Sequence, residues 1–258
     1  FAFLKIYTKI HFLNYFWKMM TEKIKYTVLG IMSGTSLDGI DLALCSFIKN
    51  QQWEYKIEKS ETLKYPIGWK LKLSTTHTKN KSIVEKTDIQ FGQYIGQTIN
   101  TFLNNEKIDF IASHGHTIFH QPENNFTLQI GCGKTISKIT KITTINNFRS
   151  LDVSLNGQGA PLVSIGDLLL FPDYKYCINL GGFANISIKK NEEIIAFDIC
   201  PVNIVLNNIC KELGIEYDSN GNISREGKII PTLLQQLNQL DFYIKKAPKS
   251  LGREWVEE

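Results

Sequence analysis

Residues 30–41 read Gly30-Ile31-Met32-Ser33-Gly34-Thr35-Ser36-Leu37-Asp38-Gly39-Ile40-Asp41 and lie between two apolar runs, 26–32 and 42–48. The chain there runs from strand through a glycine-rich turn into a second strand, with no helix following. Two or three residues suffice to link two strands. This connection instead carries three glycines, three hydroxyls and two carboxylates. Backbone N–H groups turned toward one point, with Thr35 and Ser36 beside them, make a concave donor set suited to phosphate oxygens. The plainer alternative is an ordinary Gly/Asp turn that Asp38 caps with a side-chain hydrogen bond. Phosphate loops of the commoner nucleotide-binding folds pass from strand into helix, so this hairpin points to a different α/β architecture.

The rest of the chain predicts the same pattern twice. Strand-like runs at 25–32, 41–48 and 53–63 have short connections, so they are consecutive antiparallel neighbours. Helices follow near 66–76 and 82–104. In the second, Ile83, Val84, Phe91, Ile95, Ile99 and Phe102 recur near helical spacing. Short strands are expected at 108–112, ending in Ser113-His114-Gly115-His116, and at 126–130 and 142–145. After a loop at 149–161 and a helix near 162–171, three further strands (176–180, 184–189, 194–198) lead into a helix at 203–213. Gly181-Gly182 form the first turn of that second meander, and 219–227 reads as a polar loop.

Composition limits the function classes. A chain of 258 residues, 43% hydrophobic, can bury one large core or two moderate ones. The five cysteines are odd in number and widely spaced, without a CxxC pair, so reduced thiols in a cytoplasmic protein are expected. Of the 29 basic residues, Lys5, Lys9 and Lys18 fall in the first twenty positions, which hold no acid; the remainder balances 25 acidic residues to within one charge. A nearly neutral body argues against a nucleic-acid binder. Residues 1–20 are aromatic and lack an initiating Met. A signal peptide or membrane anchor is one reading, but lysines interrupt the run and no small-residue cleavage site follows. Translated sequence upstream of a start at Met19 or Met20 is the reading adopted. The last residues, 249–258, break off with a motif in progress, as in a C-terminally truncated chain.

Several side chains stand out chemically. Asp198 ends a strand just before a helix, where it is either a base or a helix N-cap. Arg149 lies in a polar loop, where a guanidinium fork pairs with a carboxylate or phosphate, or simply bridges loops. Asp152 is placed to orient it. Gln158 either hydrogen-bonds a substrate or steadies its turn. His114 is expected to hydrogen-bond a substrate, with a core role as the alternative. With His116 and His120 it suggests a metal, but no Cys or acid completes a ligand set. Asp38 is the candidate for holding Mg²⁺ through water, since that ion prefers oxygen ligands and keeps its waters.

The hairpin, together with Ser113-His114-Gly115-His116-Thr117, Asn147-Phe148-Arg149-Ser150-Leu151-Asp152, Gly157-Gln158-Gly159-Ala160-Pro161-Leu162-Val163 and Asn179-Leu180-Gly181-Gly182-Phe183-Ala184-Asn185-Ile186, resembles the anhydro-N-acetylmuramic acid kinases. The resemblance runs from about residue 26 to the last. It implies the actin-like ATPase (ribonuclease-H-like) fold of the sugar kinase, Hsp70 and actin superfamily. Two lobes, 24–148 and 149–258, would face each other across a cleft, the second incomplete. It also implies ATP and Mg²⁺, a small anhydro amino sugar as substrate, a homodimer, no membrane and no nucleic acid. The activity implied is phosphorylation of 1,6-anhydro-N-acetylmuramic acid with hydrolytic opening of its anhydro ring, giving N-acetylmuramic acid 6-phosphate and ADP in cell-wall recycling.

By that resemblance the ATP-phosphate loop is Gly34, Thr35, Ser36, Leu37, Asp38, Gly39, Ile40 and Asp41, with Gly181 and Gly182 approaching from the other lobe. Asp198 corresponds to the catalytic aspartate, and His114, Arg149 and Gln158 face the sugar. The family's Phe-Asp-Thr-Gly-Pro-Gly-Asn context is departed from: Ile199, Cys200 and Val202 replace its Thr and both glycines. Losing glycines restricts the backbone to negative φ, which bears on where Asp198 aims. The rival readings are a kinase of a different amino sugar and a non-catalytic sugar- or nucleotide-binding relative.

Overall fold

Alternating apolar residues in the first three strand runs produce one long antiparallel meander. The computed structural model describes residues 24–257 apart from Thr35, Ser36, Asp38 and Glu192. Strands β1 (Ile24–Ser33), β2 (Gly39–Lys49) and β3 (Trp53–Lys64) pair in sequence. β1 also pairs in parallel with β4 (Phe110–Gln121), and β4 pairs antiparallel with β5 (Phe126–Ile130). The sheet order is β3-β2-β1-β4-β5, with β6 (Thr144–Asn146) joining β4 off that path. The result is an α/β protein with a mixed sheet.

Helix α1 (Ile67–Thr75) is short; α2 (Lys81–Leu103) is the principal cover of the sheet. Asn80 starts α2 by accepting from the Ile83 amide at 3.0 Å, and Asn104 ends it at φ 44°. Such caps satisfy backbone groups that the helix itself leaves unpaired. Its apolar stripe, Phe91, Ile95 and Ile99, is fully buried with Leu29, Ile40, Leu42 and Ile111 of the sheet. Each such side chain contributes roughly 1.5–3 kcal/mol by leaving water. Helix α3 (Gly133–Thr140) adds Ile136 to the same core.

A second sheet follows short helices α4 (Ser150–Ser154) and α5 (Ser164–Leu170). Strands β7 (Tyr176–Leu180), β8 (Phe183–Lys190) and β9 (Glu193–Pro201) form a three-stranded antiparallel meander leading to α6 (Asn203–Glu212). The expected polar loop at 219–227 contains instead a helical turn and the short helix α7 (Asn222–Glu226), whose first amides Asp218 caps at 2.9 Å. The expected loop at 149–161 likewise contains α4. Both segments are too short for helical periodicity to register.

The expected strand at 108–112 is the largest local correction. β4 continues to Gln121 because its second half is the partner of β5. The histidines thus lie within a strand, not in a loop after it. Among the described residues no helix is long and apolar enough to cross a membrane, and all five cysteines are free. Residues 1–20, Thr35, Ser36 and Asp38 lie outside the described residues.

Candidate active site

Two irregularities in otherwise regular strands build the site. In β4, Ile31 pairs with Ser113 but Ser33 pairs with His116, so an extra residue bulges out between them. Gly115 absorbs the bulge at φ +73°, and a Cβ there would sit 2.4 Å from the Ile130 carbonyl oxygen. Only glycine fits such a position without strain. The bulge separates the environments of His114 and His116.

His114 lies by the cavity. Its Nδ1 is 2.9 Å from the Gly115 carbonyl, which can only accept, so Nδ1 carries the proton. Nε2 then accepts from Arg149 Nε–H at 3.0 Å, and Arg149 donates from a terminal nitrogen to the Gly159 carbonyl at 2.6 Å. The Gly159 amide in turn donates to Asp152 at 2.6 Å. Asp152 therefore steadies Arg149 indirectly, by holding the turn whose carbonyl receives the guanidinium. Burial, then the Arg149 charge, pushes the His114 pKa down to about 4, so the ring is neutral. His120, hydrogen-bonded to Thr127, is also pushed down to about 4, by burial and then by Arg149 and His114.

His116 points elsewhere. It is 1% exposed, and its Nδ1 is 3.0 Å from Ser33 Oγ. Tyr65 donates its hydroxyl to the same Ser33 Oγ at 2.6 Å. A hydroxyl oxygen has one proton to donate and two lone pairs to accept with, so Ser33 Oγ can bond Tyr65 and His116 at once. Burial raises the Tyr65 pKa and is the first cause holding His116 at about 4. This chain of three side chains fixes the end of β1 where the glycine-rich hairpin begins. It was not legible in the sequence, since the three residues span 83 positions.

The second irregularity is in β9. Ala184 pairs with Cys200 but Asn185 with Asp198, so Ile199 is the extra residue of a bulge. Ile199, Cys200 and Val202 all keep negative φ, so the missing glycines are accommodated by the bulge. Asp198 is inside β9, not at the N-cap of α6, which is Val202. The amides opening α6 are satisfied instead by the Gly181 and Gly182 carbonyls, at 2.8–3.3 Å from Val202, Asn203 and Ile204. The second glycine turn thus anchors the helix.

Asp198 is 5% exposed. Its Oδ2 accepts from the Leu251 amide at 2.8 Å, and its own amide donates to the Lys249 carbonyl at 2.9 Å. Burial raises its pKa; the Leu251 hydrogen bond and Arg149 pull it back. Arg149 is shifted down by burial, and Asp198 opposes that shift. A buried carboxylate and a half-buried guanidinium thus sit in each other's field.

These residues line one cavity of about 340 Å³, with Ser33, Gly34, His114, His120, Arg149, Gly181, Gly182, Asp198 and Arg253 on its walls. Gln158 is not on this wall; it accepts from Ser250 at 3.0 Å and lines an adjoining cavity. Of the hairpin's described residues, Gly34 faces the cavity. Leu37 (φ +59°) and Ile40 are buried in the core, and Gly39 passes against the Leu63 carbonyl. Asp41 accepts from the Thr62 hydroxyl at 2.6 Å, away from the cavity wall. Among the described residues no group of three or more His, Cys, Asp or Glu could hold a metal. Sequence reading passed over Ser33, Tyr65, Leu251 and Arg253.

Fold and cavity define an α/β protein with a buried carboxylate and a half-buried guanidinium beside a glycine-rich hairpin. The chain belongs to the anhydro-N-acetylmuramic acid kinase family, whose model matches residues 26–257. It is 37% identical to the anhydro-N-acetylmuramic acid kinase of Colwellia psychrerythraea, over 89% of this chain and 64% of that protein. The kinase of the same name from Pseudomonas fluorescens is 36% identical, over 89% of this chain and 67% of its own length. That from Bacillus cereus strain AH820 is 32% identical, over 88% and 65%. The chain thus spans about two thirds of the length of these relatives.

Proposed function

We propose that this protein phosphorylates 1,6-anhydro-N-acetylmuramic acid with ATP while water opens the anhydro bridge, giving N-acetylmuramic acid 6-phosphate and ADP. The observation carrying this reading is Asp198: a carboxylate 5% exposed, with raised pKa, on the wall of a cavity that also meets the hairpin at Gly34. A raised pKa makes a carboxylate a stronger base toward water. Asp198 takes a proton from water as the water oxygen bonds to C1 of the sugar. The C1–O6 bond breaks and its electron pair stays on O6. O6 then attacks the γ-phosphorus, and the bond to the β,γ-bridging oxygen breaks to release ADP. Inverting glycosidases use a second carboxyl as acid; here phosphoryl transfer to O6 replaces it, so one aspartate suffices.

Arg149, held by His114 and Gly159, would pair with the lactyl carboxylate of the sugar. His114, proton on Nδ1, orients that guanidinium, and Gln158 orders the adjoining turn. Gly34, Thr35, Ser36, Leu37, Asp38, Gly39, Ile40 and Asp41 make up the phosphate hairpin, with Gly34 on the cavity wall and Leu37 and Ile40 anchoring it in the core. Gly181 and Gly182 line the same cavity. Asp38 would hold Mg²⁺ through water, since that ion prefers oxygen ligands and keeps its waters. Bound so, the ion would neutralise phosphate charge.

The sheet order β3-β2-β1-β4-β5, followed by a second meander-plus-helix unit, supports an actin-like (ribonuclease-H-like) fold with lobes at 24–148 and 149–258. A cytoplasmic homodimer completes the reading. The test is incubation with the anhydro sugar and Mg-ATP in ¹⁸O-water, followed by mass spectrometry. One label at C1 of a 6-phosphorylated product is expected. Phosphorylation without label would remove the ring-opening mechanism.

A further inference from the structure

Residues 249–253, one short segment, touch the candidate site at four points. The Lys249 carbonyl receives the Asp198 amide at 2.9 Å. The Ser250 hydroxyl donates to Gln158 at 3.0 Å. The Leu251 amide donates to Asp198 Oδ2 at 2.8 Å, with the Leu251 side chain 5% exposed. Arg253 then enters the wall of the cavity that holds Asp198, Arg149 and Gly34. Lys249 is itself fixed, donating from Nζ to the Phe242 carbonyl at 2.8 Å. Such a segment is a strap rather than a loose connection: each of its first three residues is tied to a named partner.

Resting on the kinase reading of this cavity, we propose that the strap delivers Arg253 as the cation that binds the nucleotide's phosphate chain. Arg149 is held by His114 and the Gly159 carbonyl and is assigned to the sugar. Arg253 shares its cavity wall with Ser33 and Gly34, where the hairpin begins. A guanidinium fork matches phosphate oxygens geometrically. Because the same strap hydrogen-bonds Asp198, phosphate binding at Arg253 and the aim of the base share one piece of backbone.

The experiment titrates the 258-residue chain and its Arg253→Gln and Arg253→Lys variants with inorganic tripolyphosphate, Mg-ATP and the anhydro sugar, by calorimetry. Loss of the fork should weaken tripolyphosphate and ATP about 10- to 100-fold in Arg253→Gln. Arg253→Lys should recover part of that, and sugar affinity should stay unchanged. Undiminished tripolyphosphate binding in Arg253→Gln overturns the assignment, as does a wild type that binds no tripolyphosphate. Loss of sugar instead of triphosphate affinity would move Arg253 to the carboxylate and also overturn it. A wild type that binds tripolyphosphate in an Arg253-dependent way, yet never converts the sugar, removes the kinase reading alone.

Discussion

The Leu251 amide donates to Asp198 Oδ2 at 2.8 Å across 53 residues of sequence. That bond holds the buried carboxylate in one orientation through Oδ2. It also makes the proposed base depend on a segment far away in the chain.

Asp198→Asn should lower turnover about 100- to 10,000-fold, the range for loss of a general base. Burial raises the Asp198 pKa in the folded state. Its ionisation therefore weakens folding as pH rises through the folded value, and is without cost below the unfolded one. The Asn variant should melt at the same temperature as wild type or higher at pH 7, with ATP affinity retained. Calorimetry and a product assay on the same preparation check both halves; retained turnover would move the base elsewhere.

His114, His116 and His120 are each held at about 4, against about 6.5 for an unfolded histidine. The unfolded chain then binds more protons between those values, so stability is full above about pH 6.5 and falls as the pH drops toward 4. The raised carboxylate pKa values of Asp88 and Asp198 oppose this trend. Urea unfolding from pH 7.5 to 4.5 should show the loss, and His120→Gln should reduce its slope.

Ser33→Ala removes the hydroxyl that both Tyr65 and His116 hydrogen-bond. A buried imidazole nitrogen left without a partner costs about 1–3 kcal/mol. The variant should lose that much stability in urea titrations, and Tyr65→Phe less, because His116 keeps its bond to Ser33. Equal losses would mean that the Ser33–His116 bond contributes nothing.

Gly115→Ala should destabilise by roughly 1–3 kcal/mol for the left-handed backbone alone, with the Ile130 carbonyl contact adding to it. Circular dichroism melting against wild type measures the loss.

The sequence made regular elements legible where a local pattern governs them. Strands 126–130 and 176–180 match their observed bounds, and α2 differs from its expected range by a residue at each end. The hairpin and Asp198 were visible as motifs. The bulges at Gly115 and Ile199 were not, because a one-residue register shift depends on the partner strand. Nor was the Tyr65–Ser33–His116 chain or the strap at 249–253, whose contacts join residues tens of positions apart. Asp198 was expected at a strand end, since its neighbours 199–201 lack the alternation that would have extended β9.

Gly115 carries a consequence for how this chain can vary. The residue that separates His114 from His116 also presses against the β5 backbone at Ile130. A side chain at that position would disturb the turn that aims one histidine and the pairing that seats the other in the same event. Drift in the hairpin formed by β4 and β5 is therefore tied to the cavity wall. A change there survives only when both adjust at once.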